Sequence, residues 1–521
     1  MGIFIDLYLS KDVTDEEWAA VYEESLRLAE AFRLMDLQET EAYGSRLVCG
    51  IPSAEGDREK GWRAVGDSVT FGMAEAQFFP ARLGGLLEEK RKRRSFLAAP
   101  ADPLLAAAAG RTMLGWEDGR CMGSLHLWGN KTQGKAYHLY LLAIGCMVED
   151  RLEGKACVDG DITLGQCRRA VRMATRCLDR PVRLPARCVP ERLYRRIRAL
   201  PLKKREVLNV FHYLYLGVAD MEYGKYIREH FTEEEQAAFW KGEFRDLRIG
   251  SSGFASALRD YLNLGNSLEE LCRYIRFTDR DGTEYYKPFV EAVMRSKVFL
   301  RKKDLRDCLE IDREEETPYS IYTLLAQFVL SGAKNYSVNR YIPPEEIRET
   351  LERFIGGYCD VGGIMAGFLK EAAKPEPSAL LNDLMDKKVE AQRKKQEKYE
   401  ICGYQELICY EPGDRIEPEL EKECLKFFSF CQSLCGEDRF RQLMEGSARE
   451  RNAFLVREGG RLFLMEKQWQ EIFTRVERDR ESFQRYYPMA RVKLDDDARW
   501  AVLAWVTNDA LYRHFAERTD P

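Results

Sequence analysis

The sequence predicts an α+β protein that is predominantly α-helical, with a small mixed α/β N-terminal unit, a large helical middle and a small α+β C-terminal unit. Three observations lead there. Charged residues make up 32% of the 521-residue chain, above the usual quarter, which favours long solvated helices over compact sandwiches. Apolar residues recur first at strand spacing and then at helix spacing, in turn, through residues 1–180. Beyond Pro190 the helical period takes over almost completely, with capping signals and no repeat.

Element by element, Ile3, Ile5, Leu7 and Leu9 alternate with Phe4, Asp6 and Tyr8, which predicts a strand. Thr14 and Glu17 then form a capping box that opens a helix to about Met35. A short strand is expected over Arg46–Ile51, followed by a polar Gly-rich loop from Ser53 to Asp67 and a helix ending near Pro80. Ala98–Ala109 is alanine-rich and reads as a short helix or a loose connection. Asp118-Gly119 predicts a hairpin between Thr112–Trp116 and Cys121–Trp128. Helical spacing over Ala136–Leu152, a strand at Lys155–Val158 and a helix capped by Thr163 and Gln166 complete the first unit.

Capping boxes at Thr232/Glu235 and Ser267/Glu270 and a proline start at Pro343 mark helices in the middle of the chain. Lys374–Ser378 reads as a linker leading into the charged run Asp386–Glu400. In the last unit, Ala453–Val456 and Leu462–Met465 flank Gly459-Gly460 and predict a hairpin. With helices on either side, that hairpin resembles the wing of a winged helix at the level of pattern, although Glu437–Glu445 is too mixed in sign for a DNA-reading helix. The expected divisions are 1–180 mixed α/β, 181–373 helical, 374–400 a charged linker or hinge helix, and 401–521 α+β.

No stretch approaches 18 consecutive apolar residues, and Met1–Ser10 lacks the basic residue and apolar run of a signal peptide. Asp6 also stands where myristoylation at Gly2 would require Ser or Thr. A soluble cytoplasmic protein that does not engage membranes is the expectation. The 15 cysteines include no CxxC; Cys424, Cys431 and Cys435 stack along one helix face beside Phe428 and read as core. With five scattered histidines, neither a metal nor a cofactor is expected.

The sharpest signal is electrostatic. The formal net charge is −5, yet Arg168–Arg205 holds fourteen arginines and lysines against only Asp179 and Glu191. Such a belt meets either an external polyanion or the protein's own carboxylates. Arg168, Arg172, Arg176 and Arg180 fall four apart, on one flank of a helix whose other flank carries Leu164, Cys167, Val171, Ala174 and Leu178. Arg195 and its neighbours continue the charge. Asp312–Glu316, Glu233–Glu235 and Glu345/Glu346 are the internal acidic clusters available to it. Aromatic interleaving is confined to Tyr194, so base stacking has little support.

A second anion candidate is Gly129-Asn130-Lys131-Thr132-Gln133-Gly134-Lys135, which matches the G-x-x-x-x-G-K part of a phosphate loop, with Lys131, Gly134 and Lys135 as its contacts. It departs from that motif at Ala136, where a hydroxyl should hold Mg²⁺, and in an entering strand that carries His126 and Trp128. Asp159 and Asp161 follow a strand and could complete a phosphoryl-transfer site, or simply start a turn. Hydrolase motifs are missing: the chain has no G-x-S-x-G and no HExxH. The expected function is interaction or regulation, through a basic surface that accepts a protein partner or nucleic acid. The alternatives are a nucleotide-dependent enzyme using Lys135 and a structural subunit of a larger assembly.

Overall fold

Strand β1 (Ile5–Ser10) buries Ile5, Leu7 and Leu9 completely and turns Asp6, Tyr8 and Ser10 to its other face. The computed structural model in which it is seen describes residues 2–57, 59–109, 111, 112, 114, 119–279, 281–300, 340–372, 394, 395, 397–492 and 496–519. The expected features at Asp118, Asp312–Glu316, Lys374–Ser378 and most of Asp386–Glu400 lie outside those residues.

The Thr14/Glu17 box forms as expected: Glu17 N donates to Thr14 Oγ1 (3.2 Å) and Thr14 N to Glu17 Oε2 (2.9 Å). It opens α1 (Asp15–Ala31), which stops short of Met35 because Leu34 and Met35 instead begin β2 (Leu34–Ala42). β2 pairs with β3 (Ser45–Pro52) across Tyr43-Gly44, both at positive φ, as a two-residue hairpin turn requires. The expected Ser53–Asp67 loop contains two short strands, β4 (Gly61–Ala64) and β5 (Gly66–Asp67), and the expected helix ending near Pro80 gives way to a third, β6 (Gln77–Pro80). A cross-strand aromatic contact explains the outcome: Phe79 of β6 stacks on Trp62 of β4 at 5.1 Å and overrides the local pattern.

Then come α2 (Gly84–Arg91), α3 (Arg94–Ala98), α4 (Leu104–Ala108), β7 (Ser124–Trp128), α5 (Tyr137–Arg151), β8 (Ala156–Gly160), α6 (Leu164–Cys177), α7 (Pro190–Arg198) and α8 (Lys204–Leu214). β7 forms as one arm of the expected hairpin would, but its partner is β1. The sheet order is β7-β1-β8, with both neighbours antiparallel to β1. Opposite one another on this sheet stand Tyr8 and His126, Tyr8 and Cys157, and Asp6 and Asp159.

The helical dominance read from the sequence is what the fold displays. Thr232 and Glu235 cap their helix reciprocally, and Ser267 Oγ accepts from the N–H groups of Glu269 and Glu270. The C-terminal hairpin does not form. Ala453–Val456 lies inside the helix Ala448–Gly459, which a Ser447/Glu450 capping box starts and Gly459-Gly460 ends. Phe454, Leu455 and Val456 are all buried, so this run is helix core and not one arm of a wing. Among the described residues, the strands of this region belong to residues 34–80.

The chain resolves into two compact units, each discontinuous in sequence. One comprises Met1–Glu24, Arg82–Gly134 and His138–Glu376; the other comprises Ser25–Ala81, Lys135–Tyr137 and Pro377–Pro521. The first has a core running from Tyr8 and the α4 alanines through Phe211, Leu258 and Phe289 to Met365. The second is built around Met35, Leu47, Leu455, Trp469, Tyr487 and Phe515, and includes Cys424 and Cys431, both buried beside Phe428. No described helix is long and apolar enough to cross a membrane.

Candidate anion-binding surface

The basic belt lies in the first unit and divides into two parts. In the first part, Thr163 and Gln166 cap α6 as expected: Gln166 N donates to Thr163 Oγ1, and Thr163 N to Gln166 Oε1. The buried flank of α6 is Gln166, Cys167, Ala170 and Ala174, with Val171 only half-buried. Arg168, Arg172 and Arg176 are exposed on the opposite flank. Arg180 lies beyond the helix, because Leu178 is already extended (φ −120°, ψ 148°) and Pro181 disfavours a helical residue before it. Among the described residues, Arg168, Arg176, Arg180 and the exposed Arg195 of α7 make no side-chain ion pair.

In the second part, Arg183, Arg187, Arg192, Arg196, Arg198 and Lys204 have carboxylate partners within the unit. Arg183 Nε meets Asp150 Oδ1 at 2.5 Å and its Nη2 meets Glu153 Oε2 at 3.1 Å. Arg187, 2% exposed, donates from Nε to the Leu214 carbonyl and shares the buried Asp159 carboxylate with Arg111. Arg196 grips Asp102 through Nε (2.9 Å) and Nη2 (2.7 Å), and Arg198 grips Glu235 through Nη1 (2.5 Å) and Nη2 (2.9 Å). Lys204 reaches Glu234 at 2.9 Å. Burial opposes the charge on Arg196, but the Asp102 carboxylate more than restores it and leaves the guanidinium pKa raised. Of the acidic clusters marked in the sequence, Glu233–Glu235 supplies two of these partners. The others come from Asp102, Asp150, Glu153 and Asp159, which only the fold brings near.

Asp159, considered above as a metal ligand, therefore lies between two guanidinium groups. Asp161 Oδ2 accepts the Phe4 N–H at 2.8 Å, and burial raises its pKa. In the Gly129–Lys135 segment, the Thr132 and Gln133 N–H groups both donate to the Ile3 carbonyl, at 2.8 and 3.2 Å. Thr132 Oγ1 contacts the buried His138 Nδ1 at 2.6 Å, and burial lowers the His138 pKa to about 4. Gln133 and Gly134 are both left-handed, at φ 53° and 66°. The Lys131 stem covers Gly2, with its ammonium 5.8 Å from the Phe4 ring centroid. Lys135 belongs to the second unit, where its stem runs past Gly72. The Thr132 and Gln133 donors are thus committed to the Ile3 carbonyl, just before β1.

Gly129 has a specific local reason to be glycine. A Cβ there would come within 2.7 Å of His126 Nε2, and that nitrogen is 2.7 Å from Asp6 Oδ1. The glycine thus makes room for a His126–Asp6 pair. In the sequence the only traces of this pair are the polar residues at alternate positions of β1 and a histidine within β7. No family model matches the chain, and no curated protein or solved structure is significantly similar to it.

Proposed function

We propose that this chain is a non-catalytic cytoplasmic interaction protein that receives an acidic protein partner on the exposed arginine stripe of α6. One observation carries the reading: the two parts of the belt are treated differently. Arg183, Arg187, Arg196, Arg198 and Lys204 have carboxylates of their own, whereas among the described residues Arg168, Arg176 and Arg180 have none. Arg168 and Arg176 present their charge on one exposed flank of α6, where the carboxylates of an acidic partner could pair with them. Arginine suits that role because its planar fork pairs with carboxylate in bidentate fashion. Free thiols at every described cysteine accord with a reducing compartment. The nucleotide-dependent alternative has less to stand on, since two loop N–H groups already serve the Ile3 carbonyl.

The test is fluorescence anisotropy with labelled polyglutamate, heparin and duplex DNA over a range of salt concentrations. Polyglutamate and heparin should bind in a salt-dependent manner, and the triple variant R168E/R176E/R180E should lose that binding. Duplex DNA bound more tightly than polyglutamate would transfer the surface to nucleic acid, and the triple variant should then lower the log–log salt slope by about 2–3. Wild-type protein that binds none of the three, or a variant that binds like wild type, would overturn the proposal.

A further inference from the structure

The basic run Lys90–Arg94 closes α2 and opens α3, and Lys90 and Arg93 border a cavity of about 140 Å³ in the first unit. The polar face of the sheet forms one wall, through Tyr8, Ser124 and His126. Register explains this meeting, since Tyr8 stands opposite His126 and Ser10 opposite Ser124. Phe96 and Met122 supply apolar surface on the other side, and Ser95 adds a hydroxyl.

Three features of this cavity are not accounted for by the chain itself. Tyr8 is 7% exposed and its ring stacks on His126 at 4.5 Å, yet its hydroxyl makes no hydrogen bond among the described residues. That hydroxyl lines the cavity and is a donor available to an acceptor bound there. His126 uses Nε2 for Asp6, which fixes the ring and leaves Nδ1 without a partner among the described residues. Lys90 and Arg93 make no ion pair among the described residues, although other first-unit cations such as Arg183, Arg187 and Arg196 do.

We propose that this cavity binds a small phosphomonoester. Lys90 and Arg93 balance its two negative charges, and the Tyr8, Ser95 and Ser124 hydroxyls donate to its terminal oxygens. His126 Nδ1 contacts the phosphate while Asp6 acts as a positioning residue that holds the ring, and Gly129 leaves space for that pair. Phe96 and Met122 cover the few carbon atoms the volume admits. A carboxylate ligand, with one charge and two oxygens, would leave one cation and at least one hydroxyl unmatched. The site is separate from the α6 stripe and does not depend on the function proposed for it.

The chain contains five histidines, so ¹³C-histidine NMR of the full-length protein gives a small set of signals, and His126→Asn identifies the relevant one. Inorganic phosphate and glycerol 3-phosphate are titrated at constant ionic strength, with acetate as the monoanion control. The His126 signal should shift saturably with both phosphates and not with acetate. Tyr8→Phe keeps the ring stack and removes only the hydroxyl, so it should weaken binding roughly fivefold. Lys90→Ala with Arg93→Ala should weaken it roughly tenfold or more. R168E/R176E/R180E should leave it unchanged, which separates this site from the stripe. The proposal is overturned by an unmoved His126 signal at tens of millimolar phosphate, by acetate acting as well as phosphate, or by variants of unchanged thermal midpoint that bind as wild type does.

Discussion

Within one 38-residue stretch of sequence, from Arg168 to Arg205, the same residue type is used in two ways. Of the later arginines, Arg187 and Arg196 are nearly buried and each faces a carboxylate, Arg183 and Arg198 pair from more exposed positions, and Arg195 makes no ion pair among the described residues. Of the earlier ones, Arg168 and Arg176 stand on the open flank of α6 and Arg180 just beyond it, and among the described residues none of the three has a carboxylate opposite. Charge density alone does not distinguish them. For Arg187 and Arg196 the backbone turns the side chain toward the core, where burial makes a counter-charge obligatory; Arg183, Arg198 and Lys204 are paired from more exposed positions because the fold brings carboxylates beside them. The buried members of the first group serve the integrity of the fold, whereas the second group is the surface proposed above for recognition.

Three experiments break or sharpen that comparison. The largest effect belongs to the Asp159 cluster. Removing the carboxylate as Asp159→Ala leaves Arg187 buried and unopposed, and should cost about 3–5 kcal/mol in urea unfolding followed by circular dichroism. The paired change Arg187→Met with Asp159→Leu should restore a large part of that, because a buried ion pair can be replaced by apolar packing. A loss under 1 kcal/mol for the single variant would mean that the later arginines are not structural.

Intermediate in size is the dependence on acid. Burial opposes ionisation of Glu206 and Glu235, but Arg120 and Arg198 more than offset it, so both carboxylates have lowered pKa values in the fold. Their unfolded values are higher, so the stability they contribute is present above the ordinary glutamate range and is lost as pH falls through the folded values. Thermal melts below pH 4.5 should therefore fall more steeply for wild type than for Arg198→Met. Parallel pH profiles would contradict the Arg198–Glu235 contribution. The smallest effect is expected at Arg168, Arg176 and Arg180. Single alanine variants there should stay within about 0.5 kcal/mol of wild type in the same melts, and a larger loss would mean that the stripe is structural after all.

Local signals were legible where chemistry repeats within a few residues. The capping boxes at Thr14, Thr163 and Thr232 formed as read, because a hydroxyl and a glutamate or glutamine three residues later need only each other's backbone. The helix expected before Pro80 and the C-terminal hairpin failed for a different reason. Phe79 is held by Trp62 from another strand, and Phe454–Val456 are buried among helices that meet only in three dimensions. Gly129 looked like a phosphate-loop glycine, but it makes room for His126 and Asp6, which are 120 positions apart. No short-range pattern could have paired those two.

By itself, then, the sequence determined the helical predominance, the starts of the main helices and the existence of a basic belt, since these depend on periodicity, capping and composition. Tertiary structure alone decided which arginines are neutralised. Asp102, Asp150 and Asp159 reach Arg196, Arg183 and Arg187 across 94, 33 and 28 positions, and the sign of a charge carries no information about which distant partner the fold will bring beside it.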